Sequence, residues 1–142
     1  MLKNRLIVIV LAAITVGVIS FSNAAETALA PQTSSAQGIK IIVTPQNLTE
    51  KSQPWDFAVK LETHTHPLND DLAKVSVLIV DGKQHPPLAW EGAPPGGHHR
   101  QGTLRFNAIN PPPVAVELQI RLSGDVTLRS FSWLLNGAEK GK

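Results

Sequence analysis

Apolar and polar residues alternate along two long stretches of this chain. From Trp55 to Thr63, Trp55, Phe57, Val59 and Leu61 fall on one side of an extended backbone, with Asp56, Lys60 and Glu62 on the other. From Val114 to Leu122, Val114, Val116, Leu118, Ile120 and Leu122 oppose Ala115, Glu117, Gln119 and Arg121. A period of two is that of a strand with one buried face. Five shorter runs also read as strands. Ile39–Thr44 is β-branched and stopped by Pro45, and Val75–Val80 is an apolar run closed by the turn pair Asp81-Gly82. Leu88–Trp90 follows Pro86-Pro87, and Thr103–Asn107 turns Leu104 and Phe106 inward. Leu128–Leu135 places Arg129, Phe131, Trp133 and Leu135 on one face. The shared phase predicts a core of Trp55, Phe57, Val59, Leu61, Leu104, Phe106, Val116, Leu118, Ile120, Phe131 and Trp133.

Helical signals are few. Only Asn69–Lys74 reads as a single turn, capped by Asn69 or Asp70, and the 11 prolines oppose long helices. About seven short strands separated by turn signals predict an all-β domain over residues 39–135, an antiparallel β-sandwich of immunoglobulin-like type. Strand counting leaves a small closed barrel as the other architecture.

The two ends of the chain differ from this middle. Lys3 and Arg5 precede an uncharged run from Leu6 to Phe21, and Ser22-Asn23-Ala24 puts small residues where a signal peptidase reads. Residues 1–24 are therefore expected to be a signal peptide, cut after Ala24, that delivers the domain to the periplasm or the outside. Left uncut, the same segment would anchor the domain on that side, and it is the only membrane contact expected. Residues 25–38 mix Ala, Ser, Thr, Gln and Pro and read as a flexible spacer, and residues 136–142 as a disordered tail.

Charge and composition remove several functions. Lys and Arg total 13 against 11 Asp and Glu, and loss of Lys3 and Arg5 levels the two. The near-neutral mature chain offers no basic field for nucleic acid. There is no Cys, which excludes lipid attachment, thiolate catalysis, zinc–thiolate sites and blue-copper electron transfer. Stability must come from the core rather than from disulfides. Hydrolase signatures are missing too: there is no Gly-x-Ser-x-Gly elbow and no Gly-rich phosphate loop between strand and helix. The chain reads as a non-enzyme.

The chemistry that remains is histidine. All 5 fall between positions 64 and 99: His64 and His66 after the second strand, His85 before a Pro-Pro pair, and His98-His99 after Gly96-Gly97. On an extended chain His64 and His66 point the same way, and imidazole with carboxylate (Asp70, Asp71) suits zinc or copper. The competing reading is that they fill loops with hydrogen bonds, since the spacing matches no standard metal signature. The stretch from Trp90 to Arg100 is the most unusual, with glycines that open the backbone and prolines that stiffen it. Trp90, Gly96, Gly97 and Arg100 form a candidate ligand loop, with Arg100 a donor for an anionic or carbonyl ligand. The alternative for this loop is a cover over Trp90 at the end of the sandwich.

Those residues also carry a resemblance. Trp90-Glu91-Gly92 followed by Gly96-Gly97-His98-His99-Arg100-Gln101-Gly102-Thr103-Leu104-Arg105-Phe106 resembles a motif of small exported prokaryotic proteins of unassigned function. Thr63-His64, Asp71-Leu72 and Arg129-Ser130-Phe131-Ser132-Trp133 extend the likeness over most of residues 55–133. His66 and His85 lie outside it, so the resemblance implies His64, His98 and His99 as the metal set. The expected function is a non-catalytic binding or accessory module of the cell envelope, its partner an envelope protein or a small ligand. A periplasmic copper- or zinc-binding protein is the alternative.

Overall fold

A computed structural model describes residues 29–49 and 51–135. In chain order the elements are β1 (Gln32–Ala36), β2 (Ile39–Pro45), β3 (Trp55–Thr63), a helical turn α1 (Leu72–Val75), β4 (Ser76–Val80), β5 (Lys83–His85), β6 (Ala89–Gly92), β7 (His99–Phe106), β8 (Ala115–Ile120) and β9 (Arg129–Leu134). They form two antiparallel sheets, β1-β2-β3-β7-β6 and β5-β4-β8-β9. The all-β expectation holds, with a core between the sheets. The expected signal peptide 1–24 and the tail 136–142 lie outside the described residues.

All seven expected strands are present, and two more join them. β1 falls within residues 25–38, which had read as a flexible spacer, so the fold begins before Ile39. Gln37 and Gly38 turn at φ 50° and 74°, and Gln32–Ala36 folds back onto β2 in register with Val43–Ile39. The strand Gln-Thr-Ser-Ser-Ala carries no apolar period, because half of it faces solvent and the rest packs only at the seam. β5 returns onto β4 through Asp81-Gly82 and sits at an edge, where polar Lys83 and Gln84 are tolerated. The helical turn is capped by Asp71 rather than by Asn69 or Asp70: the Ala73 N–H donates to Asp71 Oδ1 at 3.1 Å.

The predicted core is buried throughout, from Trp55, Phe57 and Leu118 at zero exposure to Trp133 at 5%. Phe57 on β3 meets Phe106 edge-on at 5.6 Å and Trp133 of the opposite sheet at 5.7 Å, so aromatic contacts cross the core. Arg129 shares the inward phase of Phe131 and Trp133, as its spacing predicts, and is buried with them. Its guanidinium ties the sheets together. It donates to the Ile39 and Ala36 carbonyls of the other sheet at 2.8 and 3.0 Å, and holds Asp125 at 2.8 Å. Beside it, the Trp133 indole donates to the Ala30 carbonyl at 2.7 Å, and the Gln32 amide bonds both main-chain groups of Ser132. β1 thus closes one seam of the sandwich against β9.

Candidate functional site

One end of the sandwich gathers the connections that follow β1, β3, β6 and β8. Pairing of Glu62 with His99 and of Ile39 with Thr63 sets this end for the larger sheet. Pairing of Ser76 and Arg129 with Ile120 sets it for the smaller one. Most of the distinctive residues of the sequence lie here.

β7 enters with Arg100 opposite Leu61, in the inward phase, so its guanidinium is carried into the interior and is only 2% exposed. A buried guanidinium requires acceptors, and the neighbouring loops supply carbonyls. Arg100 donates to Leu68 O at 3.2 Å, Asp70 O at 2.7 Å and Ala93 O at 3.1 Å, and stacks over the Trp90 indole at 5.7 Å. Burial lowers its pKa, while Asp70 and Asp71 support its charge. The Trp90 Nε1–H donates to Ala93 O at 2.9 Å. Room for the indole comes from two glycines facing each other across β6 and β7. A Cβ on Gly102 would lie 2.8 Å from the Trp90 ring, and one on Gly92 3.0 Å from it. Gly96 and Gly97 finish the arrangement: Gly96 N–H donates to Leu68 O at 2.8 Å and Leu68 N–H to Gly97 O at 2.9 Å.

Arg100 Nη1 and Nη2 and the half-buried Trp90 Nε1 donate to loop carbonyls, while the buried Arg100 Nε has no partner among the described residues. Arg100 and Trp90 form a clamp that fastens residues 68–70 and 93–97 to the end of the sheet. The Trp-x-Gly and Arg-x-Gly spacings are the registers that bring an indole over two glycines. The cover reading of this loop fits the contacts.

The histidines are left outside the clamp. Thr63 N–H donates to His98 O at 3.0 Å, which brings the start of the 64–67 loop against His98 although 34 positions separate His64 from His98. His64, Thr65, His66 and Pro67 are all exposed, as are His98 and His99. Thr65 packs beside Gly38 and bonds Thr63 through its hydroxyl at 3.2 Å. His99 stands opposite Glu62, whose carboxyl is held below its usual range by the Lys60 ammonium at 3.0 Å, with His99 adding to the effect. The fold therefore places His64, His98 and His99 at one end. Among the described residues, however, no group of three or more His, Asp or Glu side chains is drawn together as a metal site requires. His85 is apart from them, on β5.

A second buried arginine completes this end. Asp125 accepts Arg129 through both carboxylate oxygens, at 2.8 and 2.9 Å, and receives the Leu122 amide at 3.0 Å. Burial pushes the Asp125 carboxyl up, but these donors outweigh it and hold the group below its ordinary value. Gln37 bridges to the same loop, donating to Gly124 O at 2.7 Å and accepting from Val126 N at 3.1 Å. Asp70 takes the Ser123 amide at 3.0 Å and its hydroxyl at 2.5 Å. The β8–β9 loop is thus rigid, yet it holds Val126 at 80% exposure and Leu128 at 37%. Neither of these two apolar residues belongs to a polar or metal-ligating pattern in the sequence. The signal available was apolar Val126 and Leu128 beside the Ser123-Gly124-Asp125 turn.

Elsewhere, the outer face of the five-stranded sheet dips into a shallow open hollow of about 430 Å³. Ala58 is shorter there than Ile42, Thr44, Lys60, Gln101 and Thr103 around it. No family model matches this chain, and neither does any curated protein or solved structure.

Proposed function

We propose that the chain is an exported, non-catalytic binding or accessory module of the cell envelope whose contact surface is its histidine-bearing end. The observation that carries this reading is a division of labour within the loop motif. Trp90, Gly96, Gly97 and Arg100 are consumed in fastening loops together, while His64, His66, His98 and His99 remain on the outside of that fixed frame. A rigid frame with an exposed rim suits recognition. The best-buried ion pair, Arg129 with Asp125, is turned into the seam between the sheets rather than toward a cleft.

The proposed type of sandwich is immunoglobulin-like. Lettering β2 to β9 as A, B, C, C′, D, E, F and G makes the sheets A-B-E-D and C′-C-F-G, with β1 as an added edge strand; that order supports the assignment. Export rests on the charge, apolar run and small residues of positions 1–24. Near-neutral charge favours a protein or small-ligand partner over nucleic acid.

Fractionation of producing cells tests the proposal. Protein beginning at Ala25 and retained on envelopes, with retention lost when His64, His66, His98 and His99 are all replaced by Gln, is the expected result. Full-length chain in the cytoplasm, or retention indifferent to those replacements, overturns it. The rival reading, a periplasmic copper or zinc protein, draws on the placement of His64, His98 and His99 at one end. Metal analysis of the protein purified from the periplasm decides between them, stoichiometric metal favouring the rival.

A further inference from the structure

We propose that the hollow on the outer face of the five-stranded sheet is a binding site for an uncharged saccharide. The site is on the other face of β7 from the clamp, and the envelope reading makes no use of it.

One short residue makes the hollow. The outward positions of β3 are Asp56, Ala58, Lys60 and Glu62, and only Ala58 ends at its Cβ. The register sets Ala58 between Thr44 of β2 and Thr103 of β7, with Lys60 between Ile42 and Gln101 in the next row. Neighbouring strands are about 4.8 Å apart, so the floor from Thr44 to Thr103 is about 10 Å long. β2, β3 and β7 are the middle strands of their sheet, each paired on both sides, which fixes the lining before any ligand arrives.

The lining selects the ligand class. Ile42, Ala58 and the threonine methyls give an apolar floor. The Thr44 and Thr103 hydroxyls and the Gln101 side-chain amide stand around it, and none of the three takes part in a hydrogen bond among the described residues. The charges nearby are spent on one another. Lys60 holds Glu62 at 3.0 Å, and Arg105 bridges Asp56 at 3.2 Å and Glu91 at 3.3 Å. Across this face Lys40, Lys60 and Arg105 balance Asp56, Glu62 and Glu91, so an ionic ligand meets no net field there. A wholly apolar ligand would leave the hydroxyls and the amide covered and unpaired, which costs free energy. An extended peptide pairs with a free strand edge, and no edge borders the hollow. The occupant that suits this lining has an apolar side for the floor and uncharged hydroxyls around its rim for Thr44, Thr103 and Gln101. A pyranose ring has that form, with C–H groups on its face and hydroxyls at its edge. The hollow is open, so a ring can sit there as part of a longer glycan.

Titration of the isotope-labelled exported protein, followed through its amide NMR signals, provides the test. The probes are a neutral trisaccharide of glucose, a neutral trisaccharide of N-acetylglucosamine and an anionic trisaccharide of galacturonate. The expected result is saturable shifts at Thr44, Ala58, Gln101 and Thr103 with at least one neutral probe, at a Kd of about 1 mM or below. The anionic probe binds about tenfold or more weakly. Ala58→Ile fills the hollow and abolishes the shifts. Thr103→Val keeps the shape, removes one hydroxyl and weakens binding by about three- to tenfold. Both replacements are on the solvent face of the sheet, and unchanged melting temperatures confirm that the variants are folded. The single-ring sugar of the probe that binds is then titrated: equal affinity assigns a free sugar, and a gain of about tenfold for the trisaccharide assigns a glycan chain. The proposal is overturned if neither neutral probe moves these signals at about 10 mM, or if the shifts fall at the histidine-bearing end instead. Binding that survives Ala58→Ile, or that is tightest for the galacturonate probe, overturns it as well. Envelope retention that depends on the histidines is untouched by any of these results, so the two readings fail separately.

Discussion

Replacing Gly102 by Ala is the sharpest test of the clamp at the loop end. The new methyl would sit 2.6 Å from the Glu91 carbonyl oxygen, 2.7 Å from the Gly92 Cα and 2.8 Å from the Trp90 ring. Real Cβ atoms do not tolerate such approaches, so something must move. Two of the three neighbours are backbone of β6, which pairs with β7 from Ala89 to Gly92, so the cheap escape of swinging a side chain is closed. Either β6 separates from β7 or Trp90 is expelled together with its bond to Ala93 and its stacking on Arg100. Overpacking of this kind costs about 1–3 kcal/mol. For a domain of this size a loss of about 2 kcal/mol lowers the melting temperature by about 8–16 °C. Urea unfolding followed by tryptophan fluorescence measures it, with Gly82→Ala as comparison. Gly82, unlike Gly102, has a positive φ, 75°, and nothing lies within 4 Å of its would-be Cβ, so that variant reports backbone strain without overpacking. A Gly102→Ala variant within about 0.5 kcal/mol of the parent would refute the reasoning, since the close approach of β6 to β7 would not then constrain the fold.

Other outcomes follow from the same contacts. Leu118→Ala, at a fully buried site between the sheets, should cost about 2–5 kcal/mol in the same assay, and a change of a few tenths would mean the inward phase is not the core. Asp125→Asn should destabilise by about 3–5 kcal/mol, because it leaves the Arg129 guanidinium charged and unbalanced in the seam. The Asp125 carboxyl is held below its unfolded value, so its stabilisation is present above about pH 4 and is lost as pH falls through the folded pKa. Melting temperature should therefore fall more steeply between about pH 5 and pH 2 in the parent than in Asp125→Asn, and parallel curves would contradict the pairing. Zinc or copper titrated into the protein at neutral pH should show no site tighter than about 10 µM, given that no three ligands converge; tighter binding lost in His64→Ala would restore the metal reading.

The contrast between the two buried arginines shows what the linear chain could tell. Arg129 shares its phase with Phe131 and Trp133, so its inward direction followed from spacing alone. Arg100 precedes the alternation of Leu104 and Phe106, and its loop setting made it look like an outward donor. Its direction came from pairing with Leu61 on β3, a register between strands 39 positions apart. The histidine end was half legible: the sequence allowed His64 and His98 to lie at one end of a sandwich, and the bond from Thr63 N–H to His98 O brings them there. The loop that carries Val126 is fixed to that end by Gln37, 89 residues from Val126 in sequence, and by Asp70 through Ser123.

Periodicity by itself determined the all-β class, seven strands and eleven residues of the core. This is because burial acts on each strand separately and writes itself as every second residue. Tertiary structure alone decided where β1 lies, since a polar edge strand gains its place from a partner's backbone rather than from its own side chains. It also decided which polar residues are spent inside and which stay outside. A buried guanidinium is satisfied by whichever carbonyls the fold brings within reach, and those of Leu68, Asp70 and Ala93 belong to two loops that share no local pattern.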